Sequence, residues 1–367
     1  MSWRTTRLGD VMTLQRGHDL PDSKRQDGMV PVVSSSGITD RHKVPKAKAP
    51  GVVTGRYGTL GEVFYIEEDY WPLNTALYVT DFKGNHPRFA AYFLRSVLRN
   101  YQSDKAAVPG VNRNVLHELK VKCPDTKSQV RIAEILSCYD NLIDTNRRRI
   151  QLLEESARLL FREWFVYFRF PGHENVKIVD GMPEGWRKRR LVEVADFTMG
   201  QSPKSEYYND NGEGLPFHQG VTGFGHRYPT NQTYCIQKNR MAQAGDILFS
   251  VRAPVGRINI STERIIIGRG LSAIRSKDNH QSYLFYELKN HFFKEDMIGG
   301  GAIFAAITKK DLETVVITYP DEKTIEQFEN ITNPIDRQIE ILSNQNQKLA
   351  QARDLLLPRL MSGAIEV

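Results

Sequence analysis

The residue types that could catalyse a reaction do not occur in a recognised catalytic spacing in this sequence. The nine histidines form neither His-x-Glu nor His-Glu-x-x-His patterns, and the three cysteines form no Cys-x-x-Cys pair. The glycine-rich run at residues 55–61 lacks the strand–loop–helix setting of a nucleotide site, so hairpin turns explain it better. Asn333-Pro334 lacks the second proline and the aromatic residue of an amino-methyltransferase loop and is typical of a helix N-terminus. We therefore expect no catalytic residue, metal site or cofactor in this chain.

Basic side chains are the second feature with chemical meaning. The 367 residues include 50 Lys and Arg against 43 Asp and Glu, which gives a net charge of +7. The excess is +5 in residues 1–125 and +4 in residues 181–320, but +1 in residues 126–180 and −3 in residues 321–367. Two separated basic blocks suit a polyanionic partner that is contacted twice. A solvated surface with surplus lysine and arginine is the alternative that charge alone leaves open.

The sequence contains an internal repeat, so the elements that position these side chains occur twice. Residues 3–17 align with residues 186–200 at an offset of 183, and residues 111–125 align with residues 307–321 at an offset of 196. The second offset continues without a gap to Trp164 and Leu360. The sequence therefore predicts two similar domains, with about 13 extra residues in the variable interior of the second copy.

Each copy has a mixed first portion and a helical second portion. Short β-type runs punctuated by glycine and proline fill residues 1–125 and 181–320. A short helix precedes the last strand of each copy, and a long helix follows, with Asp125 and Asp321 as its expected N-caps. The predicted fold class is α+β: two similar mixed α/β domains joined by two long antiparallel coiled-coil helices, with a pseudo-twofold internal repeat.

A coiled-coil seam runs along both predicted helices, in which apolar residues recur every three or four positions. Its members are Leu136, Tyr139, Ile143, Asn146, Ile150, Leu153 and Leu160 in the first helix, and Ile335, Ile339, Leu342, Asn346, Leu349, Leu356 and Leu360 in the second. The single asparagines occupy non-equivalent positions, so an antiparallel pair centred near residue 148 brings Asn146 and Asn346 into one layer. Two independent asparagines at the solvent edge are the alternative.

Three segments resemble a known family. Residues 159–172 (LLFREWFVYFRFPG) and 180–191 (DGMPEGWRKRRL) resemble the central conserved region of type I restriction–modification specificity subunits. The ending LLLPRLMSGAIEV at residues 355–367 resembles the C-terminal signature of that family. The resemblance covers the whole chain in order. Residues 1–125 and 181–320 correspond to two target-recognition domains, and residues 126–180 and 321–367 to the conserved helical regions.

The resemblance implies a non-catalytic subunit that binds double-stranded DNA. The three scattered cysteines, too few for a disulfide framework, favour the reducing cytoplasm as its compartment. Each recognition domain would read one half of a bipartite asymmetric site, and the helices would set the spacer. The subunit would assemble with two methyltransferase (modification) subunits and two motor-nuclease (restriction) subunits. S-adenosylmethionine, ATP and magnesium would then belong to those partners, and no contact with a membrane is expected.

The residues expected to contact DNA are loop side chains that suit phosphates or base edges. In the first domain they are Arg16, Ser34, Ser35, Lys46, Lys48, Arg56, Tyr57, Asn112 and Arg113; in the second they are Gln201, His218, Gln219, Arg252, Arg269, Lys309 and Lys310. Arg56 and Arg252 are equivalent in the repeat, as are Asn112-Arg113 and Thr308-Lys309. For each residue, a solvated surface side chain is the alternative.

Two other functions are compatible with the same sequence. One is a DNA methyltransferase or nuclease whose motifs have degenerated, which predicts turnover by the purified chain. The other is a coiled-coil scaffold whose basic domains bind protein or RNA, which predicts no preference for a two-part duplex site.

Overall fold

The computed structural model describes residues 2–56, 61–99, 101, 112–292 and 306–367. The chain divides into two units: Met1–Arg148 together with Leu342–Val367 form unit 1, and Arg149–Ile341 form unit 2. Each unit therefore combines one predicted recognition domain with a part of each predicted long helix.

Unit 1 is built from two small sheets and a strand pair. Its elements are β1 (Trp3–Arg7), α1 (Leu8–Val11), β2 (Thr13–Arg16), β3 (Val30–Ser34), β4 (Gly37–His42), β5 (Gly51–Gly55), β6 (Val63–Ile66), β7 (Trp71–Pro72), β8 (Ala76–Asp81), α2 (Pro87–Arg99), α3 (Arg113–Glu118), β9 (Lys120–Pro124) and the first part of α4 (Thr126–Phe161). One sheet has the order β2-β8-β5-β6 and is antiparallel. The other has the order β4-β3-β7, with β3 and β7 parallel, and β1 pairs with β9.

Unit 2 repeats this plan with longer connections. Its elements are β10 (Ile178–Val179), β11 (Met182–Pro183), β12 (Arg187–Arg190), α5 (Leu191–Val194), β13 (Ala195–Met199), β14 (Tyr208–Asn209), β15 (Leu215–His218), β16 (Tyr234–Cys235), β17 (Met241–Ala242), β18 (Ile247–Ser250), β19 (Ile258–Ile260), β20 (Ile265–Ile267), β21 (Leu271–Ser276), α6 (Gln281–Phe292), α7 (Lys309–Thr314), β22 (Val316–Tyr319) and the first part of α8 (Glu322–Ser362). The sheets have the orders β13-β21-β18-β19 and β14-β16-β15-β20-β17, with β15 and β20 parallel. The pair β12–β22 corresponds to β1–β9.

Glycine is required at the end of the first repeated segment for the same structural reason in both copies. A Cβ on Gly17 would lie 2.2 Å from the carbonyl oxygen of Leu73, and one on Gly200 would lie 2.1 Å from that of Gly268. Any larger side chain would force the adjacent strands apart, so this close backbone approach requires glycine.

The long helices begin where the sequence predicts. The carboxylate of Asp125 accepts the N–H of Ser128 (3.0 Å), and that of Asp321 accepts the N–H of Thr324 (3.0 Å), so both N-caps are confirmed. The prediction of a helix N-terminus at Asn333-Pro334 is wrong, because α8 begins at Glu322 and continues through Pro334. Proline lacks an N–H group, so this turn of the helix loses one backbone hydrogen bond; contacts of the surrounding helix outweigh that loss.

The predicted seam is turned inward along both helices. None of its fourteen residues is exposed, and half of them are fully buried: Leu136, Ile143, Asn146, Ile150, Ile339, Leu342 and Leu360. In unit 1, Asp140 of α4 bonds Arg353 of α8, and Nδ2 of Asn146 donates to Oδ1 of Asn346 (3.0 Å). The partner number falls as the number in α4 rises, so the helices are antiparallel. The predicted asparagine layer is confirmed.

Each unit has its own core, to which the long helices contribute. In unit 1, Leu357, Leu360 and Met361 pack with residues of the predicted recognition domain. In unit 2, Phe161, Trp164 and other aromatic residues do so. These features confirm the predicted fold class. In the part of the chain that the structure describes, no helix is both long and apolar enough to cross a membrane.

Candidate nucleic-acid interface

Four residues predicted in the second domain lie at neighbouring strand ends of unit 2. Gln201 follows β13 closely, Gln219 follows β15, Arg252 follows β18 and Arg269 lies between β20 and β21. The backbone N–H of Gly270 donates to the carbonyl of Gln219 (3.1 Å), which ties two of these ends together. We call these four residues the unit 2 edge.

The side chains of the unit 2 edge are exposed, and Ser202 connects two of the four residues. The hydroxyl of Ser202 donates to Oε1 of Gln219 (2.7 Å) and accepts the backbone N–H of Arg269 (3.2 Å). The hydrogen bond to Oε1 leaves the amide NH₂ of Gln219 directed elsewhere. Exposed amide and guanidinium groups on rigid strand ends are well suited to hydrogen-bond with base edges and phosphates.

The short helix α7 adds two cations beside this edge. The N–H of Ile307 donates to the carbonyl of Val251 at the end of β18 (2.8 Å), which places the start of α7 next to that strand. Lys309 and Lys310 are exposed in its first turn. Nζ of Lys309 lies 3.6 Å from Glu313, and an exposed pair at this distance is readily exchanged for another anion.

His218 differs from the other predicted residues because it is buried. Its Nε2 lies 2.9 Å from Oδ1 of Asn231, and Nδ2 of Asn231 donates to Glu263 (2.8 Å). The imidazole therefore fastens a loop to the end of β15. Its predicted contact with DNA stays a prediction.

The equivalent strand ends of unit 1 hold Arg16, Ser35 and Arg56. Nε of Arg16 and Nη1 of Arg56 both donate to the carbonyl oxygen of Asn74, at 3.3 and 3.2 Å. Asn74 lies between β7 and β8, the place that Arg269 occupies between β20 and β21. Ser35 is half-buried beside Gly55 at the end of β5.

Sequence reasoning missed two residues of this cluster, His18 and Asn74. His18 follows Arg16 at the position equivalent to Gln201, so the offset of 183 would have found it. Burial, and then the charge of Lys46, lower the pKa of His18, so its ring is neutral near pH 7. We call Arg16, His18, Ser35, Arg56 and Asn74 the unit 1 edge.

The other residues of the first domain that were predicted to contact DNA differ in burial and in their bonding partners. Ser34 is buried, and its hydroxyl bonds Ser36 and the carbonyl of Gly37. Lys46 is exposed, with Nζ 6.0 Å from the ring centre of Trp71. Nζ of Lys48 pairs with Asp69 at 2.7 Å and holds the pKa of that carboxyl below its usual value.

Asn112 and Arg113 begin α3, and both are exposed. Oδ1 of Asn112 accepts the N–H of Asn114 (2.9 Å), so this side chain is the helix N-cap, as Thr308 is for α7. The predicted equivalence of the two helix starts therefore holds in structural terms. Tyr57 lies outside the described residues.

Comparison with known proteins agrees with the internal repeat of the chain. A family model for the type I restriction modification DNA specificity domain matches residues 1–155 and 183–351. A specificity subunit assigned to the type I restriction enzyme MjaX of Methanocaldococcus jannaschii is 35% identical over 302 residues, which cover 78% of this chain and 70% of that protein. The MjaIX specificity subunit of the same organism is 26% identical over 283 residues, which cover 72% and 65%.

A solved structure shares the fold. The type I restriction-modification system S subunit from M. genitalium aligns with a TM-score of 0.64 at 17% identity, covering 98% of this chain and 96% of that chain. The two matched stretches thus define the chain as a protein with a duplicated DNA specificity domain. The chain belongs to the family of type I restriction–modification specificity subunits, which confirms the resemblance found in the sequence.

Proposed function

We propose that this chain selects the DNA sequence for a type I restriction–modification complex and that each unit reads one half of a bipartite site. The observation that carries the proposal is the repetition of one edge geometry with unlike side chains. His18 and Asn74 stand in unit 1 where Gln201 and Arg269 stand in unit 2, and Arg16 stands where unit 2 has Met199. Readers with equivalent scaffolds and different hydrogen-bonding groups would select unlike half-sites, so the whole site is asymmetric.

In this proposal, amide and guanidinium groups of the two edges read the bases, and nearby lysines bind the phosphates. Arginine pairs well with guanine, and glutamine or asparagine with adenine, through two hydrogen bonds each. Lys309 and Lys310 in unit 2 and Lys46 in unit 1 suit the sequence-independent contacts that set register on the duplex.

The long helices would fix the number of unread base pairs between the half-sites. Both α4 and α8 contribute residues to the two units. The hydrogen bond between buried Asn146 and half-buried Asn346 favours one register of the seam over its alternatives, because a shifted register would bury the Asn146 amide unpaired. One helix register would give one spacer length.

The same helices would bind the catalytic partners. Leu152 on α4 is 61% exposed and Leu355 on α8 is 67% exposed, and Leu142 and Leu159 are also exposed. Large apolar side chains on polar helices are typical of protein–protein contacts. The partners would be two modification subunits and two restriction subunits. This chain would perform no catalysis, and S-adenosylmethionine, ATP and magnesium would be bound by those partners.

Selection from a pool of randomised duplexes, at salt high enough to suppress non-specific binding, tests the proposal. We expect the purified chain to enrich two unlike short motifs separated by a fixed gap. A single contiguous motif would contradict bipartite reading, and absence of enrichment would favour a scaffold that binds protein or RNA. Methyl transfer to DNA by this chain alone would contradict the non-catalytic assignment.

A further inference from the structure

A tyrosine from each recognition domain bonds an aspartate on a long helix at equivalent places. The hydroxyl of Tyr92 on α2 donates to Asp140 of α4 (2.5 Å), and that of Tyr286 on α6 donates to Asp336 of α8 (3.0 Å). Asp140 and Asp336 are related by the offset of 196 that relates the two helices. The two units therefore share one anchoring contact between a recognition domain and a helix.

Each aspartate also needs a positive partner, and the two units obtain it differently. In unit 1, Arg353 of α8 donates to Asp140 across the helix pair (2.6 Å). The same offset makes Ala157 of α4 the equivalent of Arg353. Because alanine has no charge, α4 cannot give Asp336 the partner that α8 gives Asp140.

In unit 2 the positive partner comes from the recognition domain itself. Nη2 of Arg227 donates to Asp336 (2.5 Å), and Nη1 donates to the hydroxyl of Tyr286 (3.2 Å). The guanidinium carbon lies 4.4 Å from the ring centre of Phe285, and Nη1 lies 3.9 Å from Glu154 of α4. Only 2% of the side chain is exposed, so this arginine is almost fully enclosed by α6 and the two long helices.

Arg227 belongs to a loop that unit 1 lacks. Only Ser35 and Ser36 separate β3 from β4, whereas residues 219–233 separate β15 from β16. The larger part of the second copy's extra length lies in this loop. Its first residue, Gln219, belongs to the unit 2 edge, and its Asn231 is bonded to His218.

The middle of the loop is held at Arg227 and at the two residues before it. The carbonyl of Arg227 accepts the N–H of Ile260 in β19 (2.8 Å), and the carbonyl of Gly225 accepts Nδ2 of Asn259 (3.1 Å). The neighbouring His226 lies 3.1 Å from Glu154. The loop thus connects the sheet that carries the edge with the helix pair.

We infer that Arg227 is a positioning residue for DNA recognition by unit 2: it fastens loop 219–233 to the long helices and so holds the unit 2 edge in its reading geometry. This inference rests on the proposed function. The charge of Asp336 could be balanced by an arginine on α4, as unit 1 shows for Asp140. Only an arginine in the loop can balance that charge and also fix the loop.

The test moves the guanidinium from the loop to the helix. Arg227→Met keeps an apolar stem of similar length and removes the charge, and the double variant Ala157→Arg with Arg227→Met places an arginine where unit 1 has one. Binding of the full chain is measured to the selected bipartite duplex and to duplexes with either half scrambled. The half-site of unit 2 is the one that stays unchanged when residues 1–125 are exchanged.

We expect Arg227→Met to lower discrimination at the unit 2 half-site by about tenfold or more and to leave the other half-site unchanged. The double variant should recover the melting temperature of the wild type but not this discrimination. The matched control, Arg353→Met, should lower the melting temperature and preserve discrimination at the unit 2 half-site. Recovery of discrimination in the double variant, or its preservation in Arg227→Met, would overturn the inference.

Two measurements keep the test decisive. If Arg227→Met does not fold, Arg227→Lys keeps the charge but loses the two-pronged geometry, and we expect the same loss at the unit 2 half-site. Hydrogen exchange of residues 219–233 should accelerate in the double variant without DNA present. If the wild type selects no bipartite site, the proposed function fails, while unchanged exchange in this loop would refute the anchoring role of Arg227 separately.

Discussion

The residues that the long helices contribute to the two cores differ in kind, although the helices and sheets of the two units correspond. Phe161, Phe165 and Phe328 pack together in unit 2, and the offset of 196 places Leu357, Met361 and Ile132 at the equivalent positions of unit 1. The rings of Phe165 and Phe328 lie 5.0 Å apart between centres in a T-shaped arrangement. At these three helix positions, one backbone plan is thus stabilised by aliphatic packing in one copy and by aromatic packing in the other. The two copies share their backbone geometry, so their side chains can differ without a change of fold.

The largest effect should come from opening the aromatic core. Phe328→Ala removes a fully buried ring, and we expect it to lower the free energy of unfolding of unit 2 by about 3–5 kcal/mol. The control, Ile331→Ala, lies nearby on the same helix but is exposed, and should change stability by less than about 0.5 kcal/mol. Hydrogen exchange resolved by unit measures both. Equal loss of protection in unit 1 would show that the cores do not act separately.

The asparagine layer should behave as a coupled pair. Asn146→Leu leaves Oδ1 of Asn346 without its donor and should cost about 1–3 kcal/mol of unfolding free energy. Adding Asn346→Leu should recover most of this cost, because two leucines fill the layer without an unpaired amide. Chemical denaturation of the two single variants and the double variant measures the coupling. Additive costs would mean that the two amides act independently.

The edges should differ from other surface cations in their effect on DNA. Arg269→Ala should weaken binding of the bipartite duplex by about tenfold and relax selectivity at the unit 2 half-site. Lys83→Ala, whose ammonium is paired with Asp81 at the end of β8 opposite to the edge, should change the affinity less than about twofold. Titration against duplexes with either half scrambled separates the two variants. A uniform loss for Arg269→Ala across all duplexes would assign it to phosphate binding.

The two units should respond to pH in opposite directions, with the smallest effect of this series. In unit 1, Nε2 of His117 accepts the N–H of Leu14 (2.9 Å), and burial lowers the pKa of His117. Its contribution to stability is full above the unfolded pKa of about 6.5 and is lost as the pH falls through the lowered value.

In unit 2, the hydrogen bond to Glu154 raises the pKa of His226, and burial raises the pKa of Glu287 to about 7. The contribution of His226 to folding stability is full below its unfolded pKa and is lost as the pH rises through the raised pKa. The contribution of Glu287 to folding stability is likewise lost as the pH rises toward 7. Hydrogen exchange between about pH 5 and pH 8, corrected for intrinsic rates, should show unit 1 gaining and unit 2 losing protection. A parallel change in both units would contradict these assignments.

The sequence predicted the parts of the fold that depend on local pattern or on the repeat. The helix caps at Asp125 and Asp321, the buried seam and the antiparallel asparagine layer follow from spacing and offset alone. The equivalent places of Arg56 and Arg252, each just after a strand, followed from the repeat. Pro334 misled the prediction, because tertiary packing keeps α8 helical despite a residue that normally ends a helix.

The rest depended on contacts between residues far apart in sequence. In the sequence, His226 and Arg227 look like solvated loop residues. Nothing local indicates that Arg227 pairs with Asp336, which lies more than a hundred residues later. Arg353 stood out as a charge in the seam, but its partner Asp140 lies beside the seam and not within it. Ser34 and His218 have the right chemistry for DNA and are nevertheless buried.

Exchange of residues 1–125 for those of another specificity subunit tests most directly whether the units read DNA independently. The chimaera and the wild type are each used to select duplexes from the same randomised pool. The account predicts that one half of the enriched motif changes, while the other half and the number of base pairs between them stay as in the wild type. A change in both halves, or a new gap with both halves retained, would contradict it.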